Sequence, residues 1–318
     1  MAEDITKKSV AVLVGGWSDE REVSKSSGAA CAKALREAGF EQVDVMDVAD
    51  EDFVQRISGG SYDVAFVAMH GRYGEDGCIQ GLLEVLHIPY TFSGVAASAC
   101  ATQKGIAKVI LGHAGIPVPE GIEIAPGEEL DDEELDEIAV RLGLPLFVKP
   151  AANGSSFGIT RVTEAAQLAD AIALAAQGSD AVLVEQCVQG TEITVPVIGN
   201  DRPRALPAIE IVTGAEFYDT KVKYESSDLH HVIPARLSED VLALASERAC
   251  HAHVALGCKG ASRADFIVTE AGEPVLLEVN NIPGMTEQSL LPDSARHAGI
   301  EFPELCRMFV ELACEDCA

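Results

Sequence analysis

The segment 262–281, SRADFIVTEAGEPVLLEVNN, carries the residues best suited to chemistry. Two apolar runs, Phe266-Ile267-Val268 and Val275-Leu276-Leu277, flank a turn at Ala271-Gly272, the pattern of a β-hairpin. Pairing symmetric about that turn sets Asp265 opposite Glu278 and Arg263 opposite Asn280. Because successive side chains alternate between faces, all four share one face of the sheet. Two carboxylates that close repel each other unless a cation neutralises them. Asp, Glu and Asn offer hard oxygen donors, which suit Mg²⁺ with phosphate oxygens completing its shell. Any one of these residues alone would read as a solvated charge, but four in register favour the metal. Beyond the hairpin, Asn281-Ile282-Pro283-Gly284-Met285-Thr286 forms a turn whose glycine admits close approach of a ligand to the backbone. The Gly284 N–H beside Arg263 would make an oxyanion hole. Ser289-Leu290 opens the next polar-to-apolar segment.

The elements that must position these groups alternate. Val10–Val14 reads as a strand, followed by the turn Gly15-Gly16-Trp17-Ser18 and a helix whose Ala29, Ala30, Ala34, Leu35 and Ala38 recur at helical spacing up to Gly39. A second strand, Val64–Met69, ends at His70-Gly71, and after the helical QGLLEVL run IPYTF reads as a third. Such alternation predicts a parallel sheet with ligand groups at the carboxyl ends of its strands. An Ala-rich helix over 98–114 carries Lys104 and Lys108 on one face. The acidic run 128–137 reads as a solvated helix start. Strands are expected at 144–149, 181–185, 192–198 and 205–212, then a polar loop at 213–231, a long helix at 238–256 and a final helix near 303–313. The fold class is α/β, in three α/β or α+β segments.

Composition narrows the function classes. The 318 residues hold 23 Lys and Arg against 51 Asp and Glu, a net charge of −28. Such a surface repels nucleic acid and anionic lipid, so neither is an expected partner. An anionic substrate would need the few cations gathered in one place. No apolar run reaches the roughly 18–20 residues of a membrane span, and the N-terminal MAEDITKKSV has no apolar core of a secretory leader; a cytoplasmic protein is expected. The nine cysteines, an odd count, read as reduced thiols, and Cys314-x-x-Cys317 lacks a second pair to make a metal site.

Some motifs mislead. Gly154-Ser155-Ser156-Phe157-Gly158 matches G-x-S-x-G, but a nucleophile elbow needs a strand running straight in and a helix straight out. Here the strand stops at Lys149-Pro150 and strand-like ITRV follows. There is no G-x-G-x-x-G after the first strand, no P-loop, and no H-E-x-x-H or paired C-x-x-C.

Taken in order, GGWSDEREVS at 15–24, HGRYGEDGCIQG at 70–81, VKPAANGSSFG at 148–158, EQCVQGTEITV at 185–195, FYDTKVKY at 217–224, GCKGASRADF at 257–266 and LLEVNNIPGMTEQSLLP at 276–292 resemble the D-alanine–D-alanine ligases of the ATP-grasp superfamily along nearly the whole chain. The resemblance implies an ATP-grasp architecture: an N-terminal substrate-side domain over 1–92, a central subdomain over 93–180, and a C-terminal domain over 181–318 with the metal and second-substrate site. It implies that Glu20 holds the ammonium of a first D-alanine, with His70 beside it. Lys104 and Lys149 would reach the ATP phosphates, under a Gly-rich loop containing Ser155. Glu185 and Glu192 would lie on the adenine and ribose sides. Lys223 would touch the γ-phosphate, and Tyr224 would join Ser155 and Glu20 in a hydrogen-bonded triad. Asp265, Glu278 and Asn280 match ligands of Mg²⁺ or Mn²⁺, in agreement with the hairpin reading. Arg263 and the Gly284 amide match the oxyanion hole, and Ser289 and Leu290 the site for the second substrate's carboxylate.

The implied reaction joins two D-alanines through an acyl phosphate, releasing ADP and phosphate for peptidoglycan precursors, in a homodimer. Sister ligases that take D-lactate or D-serine are the nearest alternative, and Tyr224 argues against the lactate version. A serine hydrolase and a non-enzymatic nucleotide binder are the more distant ones. Departures from the family pattern are Gln186 for a frequent lysine, Phe92 for a usual glycine, Gln103 for a usual aspartate, and the bulky Trp17.

Overall fold

A computed structural model describes residues 4–152, 158–178, 181–212 and 230–315. The unbroken apolar run of β1 (Ser9–Val14) is buried along its whole length. It is the centre of a parallel sheet, in the order β2 (Gln42–Asp47), β1, β3 (Val64–Val67). Burial on both faces explains the lack of alternation in β1 and β3. Helix α1 (Arg21–Glu37) crosses at Gly28, where an added Cβ would stand 1.9 Å from Val14 Cγ1. That close crossing sets Glu20, the residue before α1, at the carboxyl end of the sheet.

Two expected elements take another form here. IPYTF makes only a single bridge, Ala65 to Tyr90, and then turns at Phe92, which has φ of 70°. A left-handed non-glycine residue costs roughly 1–2 kcal/mol. The Phe92 ring is buried, with ring centroids 5.9 Å from Phe66 and 5.1 Å from Phe309, and full burial of such a ring is worth about 2–3 kcal/mol. The packing therefore offsets the strain. The helix over 98–114 is two helices, α4 (Val95–Thr102) and α5 (Lys104–His113), separated at Gln103, whose ψ of 96° is extended. Lys104 thereby becomes the first residue of α5.

Helices α2 (Phe53–Gly59) and α3 (Cys78–Val85) complete the first unit. A second, antiparallel sheet runs β4 (Gly121–Ile124), β7 (Val182–Gln186), β5 (Leu146–Pro150), β6 (Thr160–Val162). It shares an apolar core with α6 (Asp132–Leu142) and α7 (Leu168–Ala175). The acidic run is the start of α6: Asp131 and Glu134 form a capping box, and the acidic side chains of the first turn complement the helix dipole.

The third sheet runs β11 (His230–Val232), β10 (Ile209–Val212), β8 (Thr191–Ile198), β12 (Ala261–Val268), β13 (Pro274–Asn280), with β9 (Arg204–Ala205) also on β8. The expected strand 205–212 is interrupted because Pro207, lacking an N–H, cannot continue the ladder. Helix α8 (Glu239–Ala255) packs on this sheet. Finally α9 (Leu290–His297) and α10 (Phe302–Glu315) return to the first unit, where Leu305, Phe309 and Val310 join the core around β1. Cys314 is thus helical, and Cys317 lies outside the described residues. Among the described residues no helix is long and apolar enough to cross a membrane.

One buried side chain gives the stability a pH dependence. His253 of α8 is fully buried, with Nδ1 2.8 Å from Ser262 Oγ and Nε2 3.1 Å from the Gly199 carbonyl. The carbonyl can only accept, so Nε2 carries a proton, while the Ser262 hydroxyl can donate to Nδ1 of the neutral ring. Burial pushes its pKa down from 6.5 to about 4, against the weaker pull of the nearby backbone. The unfolded chain takes up this proton below pH 6.5 and the native state does not until about pH 4. The His253 contribution is therefore complete above pH 6.5 and is lost as pH falls towards 4. Between pH 7 and 5 the loss amounts to about 2 kcal/mol. Urea unfolding of wild type and His253→Gln at the two pH values isolates it. The variant should lose less stability than wild type over this interval, and equal losses would refute the assignment.

Candidate active site

The third sheet presents the hairpin face outlined above. Arg263 pairs with Asn280 and Asp265 with Glu278. The symmetric pairing expected along the whole hairpin is corrected nearer the turn, where Phe266 pairs with Leu276 and Ile267 with Val275. Leu277 is the extra residue of a β-bulge. Continuing the turn-side register would have set Asp265 opposite Leu277 and carried Glu278 to the other face. The bulge restores the opposition of the two carboxylates, and it leaves Leu276 and Val279, three apart, both in the core.

Strand β8 adds to the same face, since Thr194 pairs with Asp265 and Glu192 with Ile267. Arg263 donates twice to Asp265, Nε to Oδ1 at 2.9 Å and Nη2 to Oδ2 at 2.7 Å, and Thr194 Oγ1 also donates to Oδ1. Asn280 Oδ1 accepts from the Ile282 N–H at 3.1 Å. Burial pushes Glu192 up to about 7, reinforced by the charges of Asp265 and Glu278 and opposed by Arg263. Burial also raises Glu278, but Lys104, Lys149 and Arg263 outweigh it and hold that carboxyl well below the usual range. Among the described residues no three His, Cys, Asp or Glu side chains converge as a ready metal centre.

The cations come from the other elements. Lys104, at the start of α5, lies 3.3 Å from Glu278 Oε2. Lys149 of β5 is hydrogen-bonded to Glu185 Oε1 on the neighbouring strand β7. The second Glu185 oxygen faces Lys108 Nζ at 2.9 Å, and Lys108 also donates to the Leu277 carbonyl at 3.2 Å. Glu185 is only 2% exposed. Burial favours its neutral form, yet Lys149 and Lys108 keep it lowered. Burial brings Lys108 down to about 8, with Glu185 opposing and Lys149 assisting.

At the carboxyl end of the first sheet, the Glu20 carboxylate approaches the Gly71 backbone so closely that a Cβ on Gly71 would stand 2.9 Å from Oε2. His70 precedes that glycine, and its ring lies between Ser27 Oγ, 3.1 Å from Nε2, and Glu75 Oε1, 3.4 Å from Nδ1. The exposed Trp17 stands edge-on to Tyr73, with centroids 5.8 Å apart. In the turn after the hairpin, a Cβ on Gly284 would stand 3.1 Å from Ser289 Oγ. That hydroxyl sits 2.7 Å from Thr286 Oγ1 and accepts from the Thr286 N–H at 3.1 Å, and Ser289 immediately precedes α9, which Leu290 opens. Ser155, Lys223 and Tyr224 lie outside the described residues.

Three residues of this network were not anticipated. Lys108 stood out only by sharing a face with Lys104, and Glu75 only by its place in the GEDG run. Thr194 gave no signal, because a threonine in a strand is ordinary.

The arrangement gathers buried lysines beside opposed carboxylates at the meeting of two antiparallel sheets, a setting for a phosphate-bearing ligand. The profile of the D-ala D-ala ligase C-terminus matches residues 110–311, and that of the D-ala D-ala ligase N-terminus matches residues 48–93. A D-alanine–D-alanine ligase of Pelotomaculum thermopropionicum is 46% identical over 311 residues, covering 97% of both chains. The chain belongs to the D-alanine–D-alanine ligase family. Its fold agrees with solved members of this ATP-grasp family. The D-alanine–D-alanine ligase of Bacillus anthracis complexed with ATP superposes with a TM-score of 0.84 at 31% identity, covering 97% of this chain and 98% of that one. The VanG D-Ala:D-Ser ligase of Enterococcus faecalis gives 0.83 at 30%, covering 96% and 99%. The two ligase profiles span His70, Lys149, Glu185, Glu192 and the whole hairpin, while Glu20 and Lys104 fall outside them.

Proposed function

We propose that this chain joins two D-alanine molecules into D-alanyl-D-alanine, with ATP converted to ADP and phosphate. The observation that carries the reading is the convergence of Lys104, Lys149 and Glu185 with the opposed Asp265 and Glu278, in a chain that is a ligase by family. Attack of a substrate carboxylate on the γ-phosphorus of ATP brings two anions together. At 3–4 Å in a site sheltered from water, their repulsion would cost several kcal/mol. Lys104 and Lys149 supply compensating charge, which an acidic protein must concentrate in one place. Glu20, with His70 beside it, would take the ammonium of the first D-alanine. Glu185 and Glu192 would lie towards the adenine and ribose.

The residues also fit Mg²⁺ or Mn²⁺. Asp265, Glu278 and Asn280 are hard oxygen donors gathered on one face of the sheet, the donor set such an ion takes. Such an ion, when bound, would polarise the phosphoryl oxygens. In the second step the amine of the other D-alanine attacks the acyl phosphate, and phosphate leaves. Arg263 and the Gly284 amide would stabilise the developing oxyanion, an effect worth roughly 3 kcal/mol per donor. Ser289 and Leu290, at the start of α9, would hold the second carboxylate, as helix N-termini favour anions. Resemblance to the family supports a cytoplasmic location and a homodimer.

The likeness to a D-Ala:D-Ser ligase keeps a second acceptor in view. The test is ADP release with ATP, Mg²⁺ and D-alanine, in parallel with D-serine, D-lactate and L-alanine, with products resolved by mass. D-alanine alone should sustain turnover and yield the dipeptide. ADP release only with another acceptor would move the specificity to a sister ligase.

A further inference from the structure

Lys108 has no part in the chemistry outlined above, yet it touches both halves of the site. Its Nζ lies 2.9 Å from Glu185 Oε2 on β7 and 3.2 Å from the carbonyl of Leu277 on β13. These strands belong to different sheets, so one side chain from α5 joins the two. Both contacts are with residues that set the place of another group. Glu185 uses its other oxygen to hold Lys149. Leu277 is the bulge residue that turns Glu278 towards Asp265, and a bulged carbonyl is one that the strand ladder does not fix. The Lys108 side chain is only 10% exposed, so these partners are not exchanged for water.

We propose that Lys108 is a positioning residue of the phosphate and metal site. It fixes Lys149 through Glu185 and Glu278 through the Leu277 carbonyl, and so sets the spacing between the two sheets that bear them. It is not a catalytic residue, because its ammonium is committed to those two oxygens. This inference rests on the reading of Lys149, Asp265 and Glu278 given above.

The test compares wild type with Lys108→Met and Lys108→Gln, the latter keeping an N–H donor for the Leu277 carbonyl. Circular dichroism and thermal unfolding establish folding. Calorimetry reads the affinity for Mg²⁺ with a non-hydrolysable ATP analogue, and steady-state kinetics read kcat and both KM values. The expected result for Lys108→Met is at least tenfold weaker nucleotide affinity and at least tenfold lower kcat, with the KM for D-alanine within about twofold of wild type. Lys108→Gln should fall between the two, and it carries the test if the Met variant does not fold. Unchanged nucleotide affinity and kcat in a folded variant would overturn the proposal. So would parallel losses for both substrates in step with the melting temperature, the mark of a purely structural role. Failure of wild type itself to make the dipeptide would instead overturn the functional reading, while the nucleotide affinities would still report on Lys108.

Discussion

In Asp265→Asn, ATP-dependent ADP release should fall on the order of a thousandfold while the fold persists. The substitution removes one of two opposed carboxylates, and with it much of the charge that would attract a divalent ion. The cost to stability should be small because two effects oppose. Arg263 loses its doubly hydrogen-bonded ionic partner, but Glu278 and Glu192 lose a like charge across the sheet. The same variant should also bind Mn²⁺ much more weakly when titrated in the presence of an ATP analogue and followed by electron paramagnetic resonance. Near-wild-type turnover, or undiminished Mn²⁺ binding, would refute the metal role of the hairpin.

Lys149→Met should damage activity and stability together. Removing a phosphate-facing cation should lower kcat/KM for ATP by roughly a hundredfold or more. It also leaves Glu185, buried between two lysines, with Lys108 alone. Breaking a buried ion pair costs about 3–5 kcal/mol, and the remaining lysine should reduce this to roughly 2–3 kcal/mol, a fall of about 5 °C in melting temperature. Adding Glu185→Gln in the same chain should restore much of the stability and none of the activity. A double variant as unstable as the single one would show that the buried carboxylate is not the source of the loss.

What the sequence disclosed follows from the range of the interactions. Pairing symmetric about Ala271-Gly272 sets Asp265 opposite Glu278, yet in the structure the turn-side register does not produce that opposition and the bulge at Leu277 does. The bulge could not be read, since Leu276 and Leu277 are both apolar and nothing local tells which leaves the ladder. The parallel sheet was legible from the buried runs at 10–14 and 64–67. The break at Gln103 carried no proline, and Gly105 lies inside the helix that follows it rather than at the break. Phe92 was visible as an oddity, but its tolerance depends on Phe66 and Phe309, the latter far along the chain. The same holds for Glu75, Lys108 and Glu185, whose roles are pairings made in tertiary structure. The assignments of Glu20, Lys104 and Lys149 came from family resemblance, because an isolated Glu or Lys carries no chemistry of its own.

The return of α9 and α10 to the first core bears on how the protein is made. Val10–Val14 and Val64–Val67 share that core with Ile282, Met285, Leu305 and Phe309. As the chain leaves the ribosome, the first sheet is therefore synthesised some two hundred residues before the helices that cover it. Contacts of such long sequence separation slow folding, and an incompletely covered apolar sheet is prone to aggregate. The part of that core which α9 and α10 fill therefore stays open until those helices have emerged. The first sheet becomes protected only after the sheets that would enclose the nucleotide have emerged.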